Sequence, residues 1–411
     1  MRPTALTALL VLANLAACRQ GTEGRARPSR QAHRSFRIAA MLDVAQASDA
    51  AAHGKLVPVS TLGGAAPEGR LRANLAVTPE GLLVNTAYPP PRSGDGRLEI
   101  GQSLVGLHGP EGDRRLSPAP PAQPEPARHA VFADADDQTV AWVETPSTEL
   151  TFFEWRVYAF DRSSGETRQL ADSSEIAGDR RLPDVPGSSA PTVGTRLVYW
   201  ATSHPTSDGR SFGARIVAKE RQGGGDLVTV ADRAKLPAAD GAALYFARSA
   251  DVAPELPADR YEIHRSDAAG GTALAAWGRL GPSQQITALT AEAGQVAWVI
   301  STPARRENAG ALYVWDAATN KALVVKLADA GHSTQLGATS RLVAWGNGSG
   351  GGDAGQYVLE LSTRRLWRVG EASGYSLIYA AGDHIAWSQL GDRPEDPASN
   401  SFRVARWAFP Q

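Results

Sequence analysis

The chain has 411 residues, 42% hydrophobic and 21% charged, with a formal net charge of −1. That composition is ordinary for a globular protein and excludes a disordered or collagen-like chain. The near-neutral charge leaves no basic field to hold nucleic acid, and the single cysteine excludes intramolecular disulfides and any Cys-based zinc site.

The amino terminus reads as a targeting segment. Arg2 supplies a positive start, and Ala5 to Leu15 is an apolar run too short to span a bilayer as a mature helix. The run ends in Leu15-Ala16-Ala17-Cys18. This resembles the bacterial lipobox. The resemblance implies that residues 1–17 are a lipoprotein signal peptide and that Cys18 carries the lipid. An ordinary secretory signal with an incidental thiol is the other reading. An exported protein gains little from one unpaired thiol, which favours lipidation. Residues 18–34 follow as a polar stretch with Arg19, Arg25, Arg27, Arg30 and Arg34. It reads as a flexible tether, spanning about 20 Å as a coil.

From residue 35 the chain reads as short strands. Phe36 to Leu42 and Leu56 to Leu62 are strand-like but do not join the repeat that follows. The repeat begins with an apolar strand. Its copies end at Asn85, Trp142, Trp200, Phe246, Trp298, Trp345 and Trp387, which lie 57, 58, 46, 52, 47 and 42 residues apart. A second strand recurs in step, as in Trp155 to Asp161, Tyr261 to His264, Leu312 to Trp315 and Tyr357 to Glu360. The clearest copy runs from Gln285 to Leu327, with a small, polar turn from Asp316 to Lys321. Four short strands in about 45 residues form one antiparallel sheet, the size of one propeller blade. The predicted fold is therefore all-β: a single β-propeller of four-stranded antiparallel blades over residues 35–411. Seven blades fit best; six or eight remain open. The ten tryptophans recur on these strands and none precedes Trp142. Rings at a repeated strand position fill the space between adjacent sheets.

The last unit, residues 374–409, has only three strand candidates. A ring that lacked its last outer strand would expose a sheet edge. Lys55 to Val59 has the pattern of the missing strand, and Pro58 suits an outer edge. The expectation is that this early strand closes the last blade.

The units resemble TolB-like and WD-type propeller repeats. Thr78-Pro79-Glu80-Gly81 with Leu82-Leu83-Val84 matches the turn and strand of those repeats, and Tyr313-Val314-Trp315-Asp316 matches their strand end. The resemblance covers roughly residues 70–409. The turn is eroded elsewhere, to Gly294 or Asp240-Gly241. The resemblance implies the fold and carries no partner with it.

No catalytic motif stands out. Gly346-Asn347-Gly348-Ser349-Gly350 lacks the spacing of a nucleophile elbow, and the Gly-rich run to Gly355 lacks the Lys-Ser/Thr of a phosphate loop. The eight histidines show no i, i+2 or i+4 pairing; a propeller can gather histidines from different blades, but scattered ones are more often structural or solvated, and no metal or cofactor is expected. Carboxylates such as Asp134, Asp136, Asp137, Glu395 and Asp396 read as solvated loop charge.

The favoured function is a non-enzymatic binding or scaffold lipoprotein outside the cytoplasm. The alternative is a propeller enzyme acting on polysaccharide, a glycosidase or a lyase, which needs acids or histidines converging at the channel mouth. Arg19 rather than Asp follows Cys18. This points to the outer membrane in a cell with two membranes, and otherwise to the outer face of the plasma membrane. Within each unit the connection after the Trp-type strand is long and the next turn is short. Alternating strand direction puts the long loops on one face, where binding concentrates. The candidate binding residues there are Tyr88, Phe152, Phe153, Asp208, Arg210, Arg305, Arg306, Asn308, Arg393 and Asp396. The expected partners are a membrane, through the lipid, and a protein or glycan at the cell envelope.

Overall fold

The computed structural model describes residues 34–90, 92–94, 97–99, 101–118, 127–146, 154–178, 180–185, 190–267, 271–302, 310–327, 335–347, 354–371, 377–393 and 396–410. They form seven four-stranded antiparallel blades in a ring. Blade 1 is Leu71–Val77, Leu83–Tyr88, Leu104–Gly109 and Gly112–Arg115. Blade 2 is His129–Ala135, Thr139–Thr145, Arg156–Asp161 and Glu166–Asp172. Blade 3 is Thr192–Val193, Leu197–Pro205, Phe212–Glu220 and Val228–Asp232. Blade 4 is Lys235–Asp240, Ala243–Ser249, Arg260–Ser266 and Thr272–Arg279. Blade 5 is Gln285–Glu292, Gln295–Ser301, Gly310–Asp316 and Lys321–Leu327. Blade 6 is Leu336–Ala338, Leu342–Asn347, Gly355–Glu360 and Arg365–Glu371. Blade 7 is Ile378–Ala381, His384–Gln389 and Ser401–Trp407, with Leu56–Gly63 as its outer strand. Within each blade the innermost strand is named first. The innermost strands of blades 7 and 1 pack together, so the ring is closed.

The repeated aromatic position explains the blade spacing. Trp142 lies opposite Tyr158, Trp298 opposite Tyr313, and Trp345 opposite Tyr357. These pairs stack with ring centroids 5.4, 5.4 and 5.7 Å apart. In blade 4 Phe246 stacks on His264 in the same register. Cross-strand aromatic pairs stabilise a sheet directly, and here each pair also packs against the preceding blade. The result is one apolar cluster in each of the seven crevices between blades. Trp155 is a variation: it lies just before its strand and donates from Nε1 to Thr202 Oγ1 of blade 3 at 2.9 Å.

The seam between blades 7 and 1 is built differently. Asn85 stands at the aromatic position, and its amide bonds the Gly106 carbonyl at 3.3 Å. Polar contacts replace the lost ring. The Tyr379 hydroxyl donates to the Asn74 carbonyl at 3.1 Å, and His384 Nδ1 donates to the Pro79 carbonyl at 2.8 Å. Gly81 makes room for that histidine. Its φ is +84°, and a Cβ there would lie 2.6 Å from the imidazole.

Residues 34–50 form a strap that sequence periodicity did not assign. Arg37–Asp43 adds in parallel to the outer strand of blade 5, and Ser48–Asp49 adds to that of blade 6. The strap drops one apolar side chain into each crevice it passes: Phe36 between blades 4 and 5, Val44 between 5 and 6, and Ala50 between 6 and 7. Leu62 of the closing strand does the same between 7 and 1. Lys55 then locks the closure. Its Nζ lies 2.9 Å from the buried Glu360 Oε2 of blade 6 and 5.0 Å from the centre of the Trp367 ring.

Candidate binding face

Strand direction sorts the connections. The links from second to third strand and the links between blades emerge on one face of the disc. The links from first to second and from third to fourth strand emerge on the other, as at Arg162–Gly165 and Ala317–Asn320. In blade 3 the connection after the Trp-type strand is not the long loop expected of each unit. Instead the sheet continues to Pro205 and resumes at Phe212, so only residues 206–211 form the tip. The alternating Ala201-Thr202-Ser203-His204 and Gly213-Ala214-Arg215 simply extend the ladder.

The described candidates occupy three places. Tyr88 ends the second strand of blade 1, opposite Leu71, and burial pushes its hydroxyl pKa up. Asp208 and Arg210 stand exposed at the tip of blade 3. Asp208 turns inward chemically: it accepts from Thr206 Oγ1 at 2.6 Å and from the Arg210 amide at 3.0 Å. Those bonds hold its carboxyl below the usual range. Arg393 and Asp396 pair at 2.9 Å on blade 7, and Asp396 also accepts from the Ala398 amide at 3.0 Å. That bond caps the 3-10 turn Pro397–Ser399, which packs on the innermost strand of blade 1. Tyr88, Arg393 and Asp396 thus share one sector, and Asp208 with Arg210 stands two blades along the ring. Phe152, Phe153, Arg305, Arg306 and Asn308 lie outside the described residues, as does Cys18.

Sequence reasoning missed three features of this face. The first is a buried polar group between blades 1 and 2. Glu144 accepts from Trp142 Nε1 at 3.0 Å. Burial raises its carboxyl pKa, against the pull of Trp142 and Arg128. Arg128 Nε and Nη1 are buried without a hydrogen-bond partner, and burial lowers the guanidinium pKa. The second is Lys235, buried on the innermost strand of blade 4, with Nζ 2.6 Å from Asp251 Oδ2. Burial draws the amine down. Burial alone would raise Asp251, but Lys235 holds it below the usual range. The third is a groove of about 470 Å³ between blades 2 and 3. It is lined by Glu175 and Ile176 of the short helix Ser174–Ala177 and by His204, Arg215, Leu227 and Thr229. A charged residue two positions after the Trp of Val140-Ala141-Trp142 was the only local signal for any of these.

Acids also gather at the opposite mouth of the channel. Asp134, Asp240 and Glu292 end or nearly end innermost strands, with Asp136 beside them. Asp134, Asp136 and Asp240 are not solvated loop charge, whereas Glu292 stands exposed. Asp134 Oδ2 accepts from the Val193 amide of blade 3 at 2.8 Å, and Asp240 accepts from the Ala293 and Gly294 amides of blade 5, both at 2.8 Å. Asp136 pairs with Arg221 at 3.0 Å. These side chains satisfy edge donors of neighbouring blades. Burial raises the Asp134 pKa to about 6. Among the described residues, no three His, Cys, Asp or Glu side chains are placed to hold a metal ion. Among the same residues, no helix is long and apolar enough to cross a membrane.

No protein-family model matches the chain, and no curated protein matches it. Solved structures do. A puromycin hydrolase S511A mutant complexed with PGG is similar at 17% identity and a TM-score of 0.47, over 79% of this chain and 50% of that one. TolB from Acinetobacter baumannii is similar at 10% identity and a TM-score of 0.37, over 74% and 60%. The β-propeller domain of the Trilobed protease from Pyrococcus furiosus is similar at 7% identity and a TM-score of 0.41, over 64% and 78%. The chain spans about half the length of the puromycin hydrolase it matches. By its own topology it is a seven-bladed β-propeller.

Proposed function

We propose that the chain is a non-enzymatic binding or scaffold lipoprotein of the bacterial cell envelope, and that its long-loop face contacts a protein or glycan partner. The sidedness of the ring carries this reading. The connections after the second strands and those between blades share one face, and charged side chains such as Arg210 and Arg393 stand exposed there. Loops held on a rigid scaffold are where recognition concentrates. The motif ending in Cys18 supports a lipid anchor and, with it, a position for that face outside the cytoplasm.

Two experiments test the two halves separately. Wild-type protein is expected in the membrane fraction and released by detergent, with Cys18→Ala either unprocessed or soluble. Wild type in the soluble fraction overturns the anchor. For the face, cross-linked partner is recovered from cells expressing wild type or the double substitution Arg305→Glu, Arg306→Glu. A clear loss of recovery is expected, and unchanged recovery removes the assignment.

A further inference from the structure

The first residues of the strap are hydrogen-bonded to both blade 4 and blade 5. The Ser35 amide donates to the Trp277 carbonyl at 3.1 Å, and Ser35 Oγ accepts from the Trp277 amide at 2.9 Å. The Ser35 carbonyl accepts from Asn320 Nδ2 at 3.2 Å, and the Arg37 amide donates to the Asn320 carbonyl at 3.1 Å. Between them Phe36 enters an aromatic box. It meets Trp298 and Tyr313 edge to face at 5.5 and 6.0 Å, with Tyr261 in the same cluster. Gly278 lets Tyr261 lie there, since a Cβ would fall 2.5 Å from its hydroxyl.

The strand beneath the strap is also set apart. The outer strands of blades 2, 3, 4, 6 and 7 each carry a one-residue bulge, at Leu170, Val230, Ala275, Val369 and Val59. Bulges limit how far a strand can be added to an edge, and the bulged edge of blade 6 takes only the two residues Ser48–Asp49. The outer strand of blade 1 is short and carries Asp113, Arg114 and Arg115. Only that of blade 5, Lys321–Leu327, is long, apolar in its middle and free of a bulge among the described ladders. It takes the strap in parallel over the register Arg37 to Asp43. The strap's backbone is paired but few of its side chains are buried. Its buried residues are Phe36, Val44 and Ala50, and Met41 is 72% exposed. Few buried contacts mark a segment that opens at low local cost.

We infer that the rim between blades 4 and 5 is a peptide-recognition site which the chain's own strap fills in cis. Its ligand class is an extended polypeptide carrying a small hydroxyl residue, then an aromatic one, then a run able to pair in parallel with Lys321–Leu327. A partner protein presenting such a segment displaces the strap, adding its backbone to the blade 5 edge and its ring to the aromatic box. The site lies on the rim, apart from the long-loop face, and stands whether or not that face binds anything.

The probe is a labelled, acetylated peptide with the sequence of residues 34–50, titrated into the full chain and followed by fluorescence anisotropy. Phe36→Ala in the protein weakens the competitor in cis, so this variant is expected to bind the peptide at least tenfold more tightly than wild type. A peptide with the same Phe replaced by Ala is expected to lose that binding. A folded Phe36→Ala protein that binds no more tightly than wild type overturns the inference. Should that variant not fold, hydrogen exchange on wild type decides. Amides of residues 37–43 are expected to exchange at least tenfold faster than those of residues 57–62, and equal rates overturn it.

Discussion

His129 starts and Asp134 nearly ends the same innermost strand, and burial acts on the two in opposite senses. Burial raises the Asp134 pKa to about 6 and lowers that of His129 to about 4. For Asp134 the folded state binds the proton more tightly than the unfolded chain. Its contribution is greatest at low pH and falls as pH rises from about 4 to about 6. For His129 the folded state releases the proton. Its contribution is present above about pH 6.5 and is lost as pH falls towards about 4. The two slopes oppose each other in one window, so the wild-type stability curve hides both. Asp134→Asn keeps an acceptor for the Val193 amide and removes the charge. It is expected to be about 2 kcal/mol more stable than wild type at pH 7.5, with the gain vanishing near pH 4. Urea denaturation at the two pH values checks this, and a difference that does not change with pH contradicts it.

At the scale of elements, one lysine clamps the strand that closes the ring. Glu360 is fully buried, and Lys55 is its cationic partner, while Trp407 Nε1 reaches the same oxygen only at 3.4 Å. Removing one partner of a buried pair leaves an uncompensated charge, which costs about 3–5 kcal/mol. Lys55→Ala is therefore expected to lose about 3 kcal/mol, and the combination with Glu360→Gln to recover part of it. A loss no larger than about 0.5 kcal/mol for Lys55→Ala contradicts the clamp. The blades themselves were legible in the sequence. Their strands announce themselves locally, through Val-Ala-Trp runs and through turns such as Asp316–Lys321. The strap was not, because its partners are an unrelated stretch of chain and its pairing is parallel, so no turn signals it. The bulges were equally silent, since an extra residue such as Val230 reads as ordinary strand. At the face, Asp208 and Asp396 were found as loop acids, but their work is to fix their own turns. That role follows from Thr206-Ser207-Asp208-Gly209 and Asp396-Pro397, which are turn-forming sequences in their own right. Arg128 and Glu144 escaped because they meet only when two strands pair inside a blade.

The whole molecule is a ring with one seam, and the seam is where the aromatic repeat fails. Asn85, His384 and Tyr379 hold by hydrogen bonds what tryptophans hold elsewhere. The amino-terminal strands therefore matter more than their length suggests. A chain lacking residues 19–62 loses the outer strand of blade 7 and all four crevice plugs, and is expected to melt far below the mature protein. Melting at the same temperature contradicts closure by these strands. A ring closed in this way gathers the links after the second strands and between blades on one face. The most direct test places a photo-cross-linking residue at single positions in living cells. Asp208 and Arg393 sample the long-loop face, and Ser164 and Thr319 sample the short turns. Partner adducts are expected from the first pair and not from the second. Adducts that form from Ser164 and Thr319 as readily as from Asp208 and Arg393 contradict the account.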